Sequence, residues 1–269
     1  MTQRVAVLGG GKLGEALLSG LLRAGRTTSD VVVSERSSEQ GAKLREKYGV
    51  EVLDVAAAAS RADVVVLAVK PQDMAALLDQ LAPALPAGAL VVSVAAGITT
   101  SFLEERLPAG TAVVRVMPNT PVLVDQAMTA ISGGSHADAA HLDAVEEMFR
   151  SVGRTLRVPE SQLDAVTALS GSGPAYFFYL VEAMTDAGIL LGLPRQVAHD
   201  LIVQTAIGSA IMLRDSGEHP VTLREAVMSP AGTTIAAIRT MEDHGVRAAM
   251  LAALEAARDR SRELASGNG

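Results

Sequence analysis

The chain has 269 residues, 49% of them hydrophobic, with a net charge of -7 and a sequence pI near 5.3. That length suits one large domain or two modest ones with ample core material, and no cluster of Lys and Arg is present to meet a nucleic-acid backbone. With no cysteine, disulfides, thiolate metal sites and thiol catalysis are excluded.

The start, MTQRVAVLGGGKLG, lacks the apolar core and cleavage site of a signal peptide. No uninterrupted apolar run reaches the roughly 18 residues of a membrane span. The expectation is a cytoplasmic protein with neither nucleic acid nor membrane as partner. Up to residue 158, short apolar runs alternate with helical patterns. RVAVLG (4–9) reads as a strand, KLGEALLSGLLRAG (12–25) as a helix, VVVSER (31–36) as a strand and SEQGAKLREKYG (38–49) as a helix. ADVVVLAVKP (62–71), ALVVSVAAG (89–97) and TAVVRVMPN (111–119) read as further strands. Such alternation gives a parallel sheet, and the unbroken apolar runs VVVLAV and LVVSVAA require both its faces to be covered.

Beyond residue 158 the strand signals vanish. Residues 163–192, 194–217, 233–245 and 246–265 carry long helical patterns, the first containing GSGP at 171–174, where a kink is expected. The expected organisation is therefore α/β: a parallel-sheet domain over 1–158, then an all-helical domain over 159–269. Segments such as YFFYLVEAM and LIVQTAIGSAIML are apolar around much of the helix, so either a large internal core or another subunit must cover them.

GGGKLG places Gly9, Gly11 and Gly14 in G-x-G-x-x-G spacing, directly after a strand and directly before a helix. In that setting the first glycine permits the tight turn, the second lets the backbone approach a pyrophosphate, and the third lets helix and strand sit close. The loop, Leu8, Gly9, Gly11, Lys12, Leu13 and Gly14, is thus a dinucleotide site at a helix N-terminus, and the first domain is Rossmann-type. At the end of the second strand, Glu35 suits the ribose hydroxyls of NAD whereas Arg36, flanked by Ser34 and Ser37, suits the 2′-phosphate of NADP; NADPH is favoured, with NADH as the alternative. Ala68, Val69, Lys70 and Pro71, and Val94, Ala95 and Ala96, follow strand ends where cofactor lies in such sheets. Lys70 is also considered as a proton donor.

SPAGTTIAAI (229–238) is a turn leading into a helix with no ionisable side chain, read either as a plain cap or as an anion-holding helix start. Asn119 and Thr120 in MPNTP either line a ligand pocket or fix their loop. The five histidines show no ligand spacing, so no metal site is expected.

Together, GGGKLG, LAVKPQ (67–72), VAAGI (94–98), RVMPNTP (115–121), LSGSGPAY (169–176), GLPR (192–195) and SPAGTTIAAIRTME (229–242) occur in the order and spacing of one family: the chain resembles pyrroline-5-carboxylate reductases. The resemblance implies a Rossmann domain followed by a helical domain that interlocks with that of another subunit, giving a homodimer or larger homo-oligomer. It further implies reduction of 1-pyrroline-5-carboxylate to L-proline by NAD(P)H. On that resemblance Ser229, Ala231, Gly232 and Thr233 hold the substrate carboxylate, Thr234 faces the imine nitrogen as the catalytic hydroxyl, and Glu160 is a weaker substrate-side candidate. Val55 departs from the pattern, standing where relatives carry an adenosine-contacting asparagine, and Lys12 replaces a neutral polar residue. A β-hydroxyacid dehydrogenase would need a lysine in its helical domain, and none follows Lys70. A cofactor-binding scaffold without turnover is the rival of a different class, and the intact SPAGTT opposes it.

Overall fold

A computed structural model describes residues 3–265, so the outermost residues of the two expected domains, 1–2 and 266–269, lie outside the described residues. The chain forms two compact units, one of residues up to Ser172 together with those from Ala257 onward, the other Gly173–Ala256.

The first unit runs β1 (Val5–Leu8), α1 (Lys12–Arg23), β2 (Val31–Ser34), α2 (Ser38–Tyr48), β3 (Glu51–Leu53), α3 (Val55–Ala59), β4 (Val64–Leu67), α4 (Met74–Leu81), β5 (Leu90–Ser93), α5 (Thr100–Glu104), β6 (Ala112–Met117), β7 (Ala127–Gly133), α6 (Ala139–Arg150), β8 (Gly153–Arg157) and α7 (Leu163–Val166). The strand order is β3-β2-β1-β4-β5-β6-β7-β8. Pairing is parallel from β3 through β6, antiparallel between β6 and β7, and parallel again to β8. The five strands expected from the sequence are all mutually parallel, and the antiparallel pair involves β7, a strand that the sequence did not signal. Residues 118–126 are too few for the crossover of about a dozen or more residues that a parallel return needs, so β7 doubles back on β6.

Both faces are covered, as the apolar runs require. Val5, Val7, Val31, Val33, Val64, Val66 and Val92 pack with Leu17, Leu18 and Leu21 of α1 and Phe149 of α6 on one side. Ala6, Leu8, Val65, Leu67 and Val91 pack with Leu77, Leu78 and Leu81 of α4 on the other. Successive residues of each strand alternate between these layers, and each fully buried Val or Leu contributes about 1.5–3 kcal/mol.

Register brings Ser34, Leu8, Leu67, Ser93 and Arg115 into one row across β2, β1, β4, β5 and β6. Arg115 is only 5% exposed. Its Nη1 donates to Glu160 Oε1 at 3.1 Å, and the Glu160 carboxylate also accepts from the Thr100 amide at 2.7 Å and the Thr100 hydroxyl at 2.6 Å. This cluster ties β6, the start of α5 and the segment entering the helical sequence.

The last strand ends at Arg157, at the change of sequence texture, while the compact units part between Ser172 and Gly173. GSGP does interrupt the helical pattern: a π-helical turn, Thr167–Gly171, follows α7, and a new helix begins at Gly173. The second unit contains α8 (Gly173–Leu190), α9 (Arg195–Ser216), α10 (Pro220–Ala226), α11 (Thr233–Asp243) and the first part of α12 (Val246–Ala265). α8 and α9 cross where Gly188 meets Ala198; a Cβ at Gly188 would lie 2.8 Å from that of Ala198. Within Gly173–Ala256 only Gly173, Thr185 and Ala198 are buried, and Phe177, Phe178, Tyr179, Leu190 and Leu191 are each at least 65% exposed. A unit with so little interior of its own cannot offset its ordering entropy alone. Among the described residues no helix is long and apolar enough to cross a membrane.

Glu160→Ala leaves Arg115 buried without its counter-charge, and the expected cost is about 3 kcal/mol. Urea unfolding checks this, and an unchanged midpoint would show the pair to be energetically neutral.

Candidate functional site

The order β3-β2-β1-β4-β5-β6 places a topological switch between β1 and β4, where open parallel sheets bind ligands beyond their strand ends. Each expected cofactor residue stands next to the row that register defines. Gly9 follows Leu8, Ala68 to Pro71 follow Leu67, and Val94 to Ala96 follow Ser93, while Arg36 lies two residues past Ser34.

The three motif glycines have distinct steric reasons. Gly9 has φ +112° and its amide donates to Ser34 O at 2.8 Å; a Cβ there would lie 2.5 Å from Ala68 O. A Cβ at Gly14 would lie 1.9 Å from Gly9 O, so α1 can rest on the loop only without one. At Gly11, by contrast, a Cβ would meet nothing within 4 Å. Its φ is −69°, open to any residue. Neither φ nor the chain's own packing excludes a side chain there, and the open space beside the helix start would admit a pyrophosphate. Gly11 is also the N-cap of α1 and supplies no side-chain cap, so first-turn amides face outward beside exposed Lys12, with half-buried Leu13 behind.

At the adenosine end, Glu35 turns back to the loop: Oε2 accepts from the Gly10 amide at 2.7 Å and Oε1 from the Ser37 amide at 2.8 Å. Gln40 Nε2 donates to Gly10 O at 2.8 Å, a role the sequence reading missed. The Ser37-x-x-Gln40 spacing looks like a capping box, and Ser37 Oγ does accept from the Gln40 amide at 3.3 Å, but the Gln40 side chain leaves for the loop. Glu15 gathers Lys47 Nζ at 2.8 Å and Tyr48 OH at 3.0 Å. The hydrogen bond from Lys47, then those from Tyr48 and Gln40, hold the Glu15 carboxyl below its ordinary value against the opposing effect of burial. Arg36 is 88% exposed at its side chain, within 3.5 Å of Asp73. Val55 begins α3 behind the capping Asp54 and packs into the core layer of α4.

Beyond the ends of β4 and β5, Lys70 and Ala96 are exposed, and Val94 and Ala95 are buried. Asn119 is engaged at both ends of its amide: Nδ2 donates to Ser170 O at 3.2 Å and to Ser170 Oγ at 3.3 Å, and Oδ1 accepts from the Met128 amide at 2.9 Å. Those bonds tie the MPNTP loop to the π-helical turn, which is the loop-fixing alternative. Glu160, bound to Arg115 and Thr100, is not the free surface carboxylate that the sequence allowed; a buried cationic partner in a strand leaves no mark in the sequence.

In the second unit, Ser229–Gly232 is a tight turn closed by the Gly232 amide on Ser229 O at 3.0 Å. Pro230 stands at its second position and Ala231, at φ +57°, at its third, a left-handed conformation usually left to glycine and costing a side chain about 1–2 kcal/mol. A Cβ at Gly232 would lie 2.2 Å from Ser229 Oγ. The Gly232 N–H is therefore engaged within the turn and is not available as a donor to a ligand. As N-cap of α11 it offers no side-chain cap, which leaves the amides of Thr233, Thr234 and Ile235 as donors at a helix start, with the Thr234 side chain half-buried beside them.

Residues 160–264 match the family model described as pyrroline-5-carboxylate reductase dimerisation, and residues 4–97 that described as NADP oxidoreductase, coenzyme F420-dependent. A pyrroline-5-carboxylate reductase of Corynebacterium melassecola is 47% identical over 264 residues, covering 97% of this chain and 98% of the relative. A solved pyrroline-5-carboxylate reductase of Coxiella burnetii superposes with a TM-score of 0.93 at 36% identity, covering 98% of this chain and 99% of that one. The Plasmodium falciparum pyrroline carboxylate reductase with NADP bound superposes with a TM-score of 0.88 at 27% identity, covering 98% of each chain. With a glycine loop that leaves room for a pyrophosphate, a strained turn at a helix start and likeness along nearly its whole length, the chain belongs to the pyrroline-5-carboxylate reductase family.

Proposed function

We propose that the chain reduces the C=N bond of 1-pyrroline-5-carboxylate to L-proline, with NADPH as the favoured reductant and NADH as the alternative. The single observation that carries the cofactor half is the empty approach at Gly11, where nothing in the chain itself calls for glycine. Leu8, Gly9, Gly11, Lys12, Leu13 and Gly14 form the pyrophosphate loop, Leu8 and Gly9 by anchoring and turning it and the start of α1 by its free amides, while Arg36 meets the 2′-phosphate and Ala68 to Pro71 with Val94 to Ala96 the nicotinamide half. When bound, the nicotinamide supplies the hydride.

The turn at 229–234 suits the substrate's own charges. Its carboxylate needs a fixed positive field, and main-chain donors at the start of α11 supply one without a cation that would repel the protonated ring nitrogen. Ser229, Ala231 and Gly232 shape that cradle, and Thr233 and Thr234 provide amides. The carbon receiving hydride is already electron-poor, and the C=N electron pair passes to nitrogen as its positive charge is lost. No alkoxide develops, so no strong acid is required. The Thr234 hydroxyl accepts from the iminium N–H and then donates to the nitrogen lone pair as it forms.

The bare apolar faces of the second unit support a homodimer or larger homo-oligomer, in keeping with the dimerisation description of the matching family model. A cysteine-free chain also fits the cytoplasm as its place of action.

The test is loss of nicotinamide absorbance when protein, NADPH and pyrroline-5-carboxylate are mixed; a flat trace at all concentrations refutes the reading. Thr234→Ala should lower kcat about tenfold, the worth of one hydrogen bond in the transition state, with folding preserved. Full turnover in that variant removes the hydroxyl from the mechanism. Gly11→Ala should cost no more stability than the roughly 1 kcal/mol of a poorer N-cap while raising the KM for NADPH about tenfold or more, because the added methyl group meets no other atom of the chain. Arg36→Ala should raise the KM for NADPH about tenfold and leave that for NADH unchanged, and equal effects would refute the 2′-phosphate contact.

A further inference from the structure

Glu35 stands where a carboxylate in such sheets holds the ribose diol of NAD. Here each of its oxygens already accepts a main-chain N–H, Oε2 from Gly10 and Oε1 from Ser37. Gly10 is gripped from its other side by Gln40, whose Nε2 donates to the Gly10 carbonyl at 2.8 Å. Both polar atoms of one residue in the middle of the phosphate loop are thus held by side chains, one just past the end of β2 and one in the first turn of α2. Gln40 Nε2 also comes within 3.5 Å of Glu15 Oε2, and Glu15 is bound in turn to Lys47 and Tyr48, so α1 and α2 share the cluster.

Packing closes the same grip. A Cβ at residue 10 would lie 2.5 Å from Leu44 Cδ1 and 3.1 Å from Glu35 Oε2. A side chain at position 10, free to vary in the general G-x-G-x-x-G pattern, would have to displace the ends of Leu44 and Glu35. Because the Gly10 N–H and C=O fix the two peptide planes that lead into Gly11, they also set the direction in which the first amides of α1 point.

We infer that Glu35 and Gln40 are positioning residues for the phosphate loop, and that Glu35 serves NADPH and NADH alike instead of selecting NADH. The inference rests on reading Gly9–Gly14 as the cofactor loop. Two amide donors at 2.7 and 2.8 Å stabilise the carboxylate where it stands, and this lets an acidic residue sit next to a 2′-phosphate site without reaching into it. Holding the loop before ligand arrives removes an ordering cost common to both dinucleotides.

The test compares wild type, Glu35→Gln and Gln40→Ala by fluorescence titration with NADPH and with NADH, alongside steady-state kinetics and hydrogen exchange of the Gly10 amide. In Glu35→Gln one of the two amides faces an NH₂ group. Affinity for both dinucleotides should fall by the same factor, about tenfold, with kcat at saturating cofactor within about twofold and the Gly10 amide exchanging faster. Gln40→Ala should show the same pattern at smaller size, and it carries the comparison if Glu35→Gln does not fold. A loss confined to NADH makes Glu35 a ribose ligand and overturns the proposal, as does unchanged affinity for both. If wild type binds neither dinucleotide the cofactor reading fails, and a Gly10 amide still protected in Glu35→Gln then overturns the grip on its own.

Discussion

The separation between the Gly9 carbonyl and Gly14 is the constraint from which the rest of the first unit follows. A single Cβ at residue 14 would come within 1.9 Å of that oxygen, so α1 reaches its place over the sheet only because residue 14 is glycine. With α1 seated there, Leu17, Leu18 and Leu21 cover one face of the strands, and the helix start is aimed past the end of β1. Fold and binding loop are thus consequences of one steric fact.

From that point the sheet acts as a ruler. Parallel register lines up Ser34, Leu8, Leu67, Ser93 and Arg115, and the segments that leave this row at the ends of β2, β1, β4 and β5 carry the residues proposed to meet the cofactor. At β6 the row ends in a buried cation. Its partner Glu160 lies beyond the last strand, so the first segment of the helical sequence is bound into the sheet by charge and two bonds from Thr100. A pair of this kind adds little net stability but is costly to break, which suits a fastener.

The two candidate helix starts share a strategy. α1 and α11 each begin at a glycine that offers no side-chain cap, whereas α2, α3, α5 and α6 are capped by Ser37, Asp54, Thr99 and Asp138. Bare amides serve the charges of this reaction well. Its cofactor and the substrate carboxylate are anions, and a lysine near the imine would oppose the cation that accepts hydride. The absence of any lysine after Lys70 is physically consistent with that chemistry.

The amino-acid sequence by itself determined the elements with strong local signals: five apolar strands, the glycine loop, the helical second half and the SPAG turn. Motif order was enough to point to the family. It did not disclose β3, β7 or β8, whose residues, EVL, AMTAISG and GRTLR, are short or mixed in polarity and become strands only because a neighbour pairs with them. Nor did it disclose the antiparallel turn of β7, the left-handed backbone at Ala231, the Arg115–Glu160 pair or the grip on Gly10. Local pattern reports what a segment prefers, and all of these features except the four-residue turn at Ala231 depend on atoms from distant segments meeting within about 3 Å, which only tertiary structure decides.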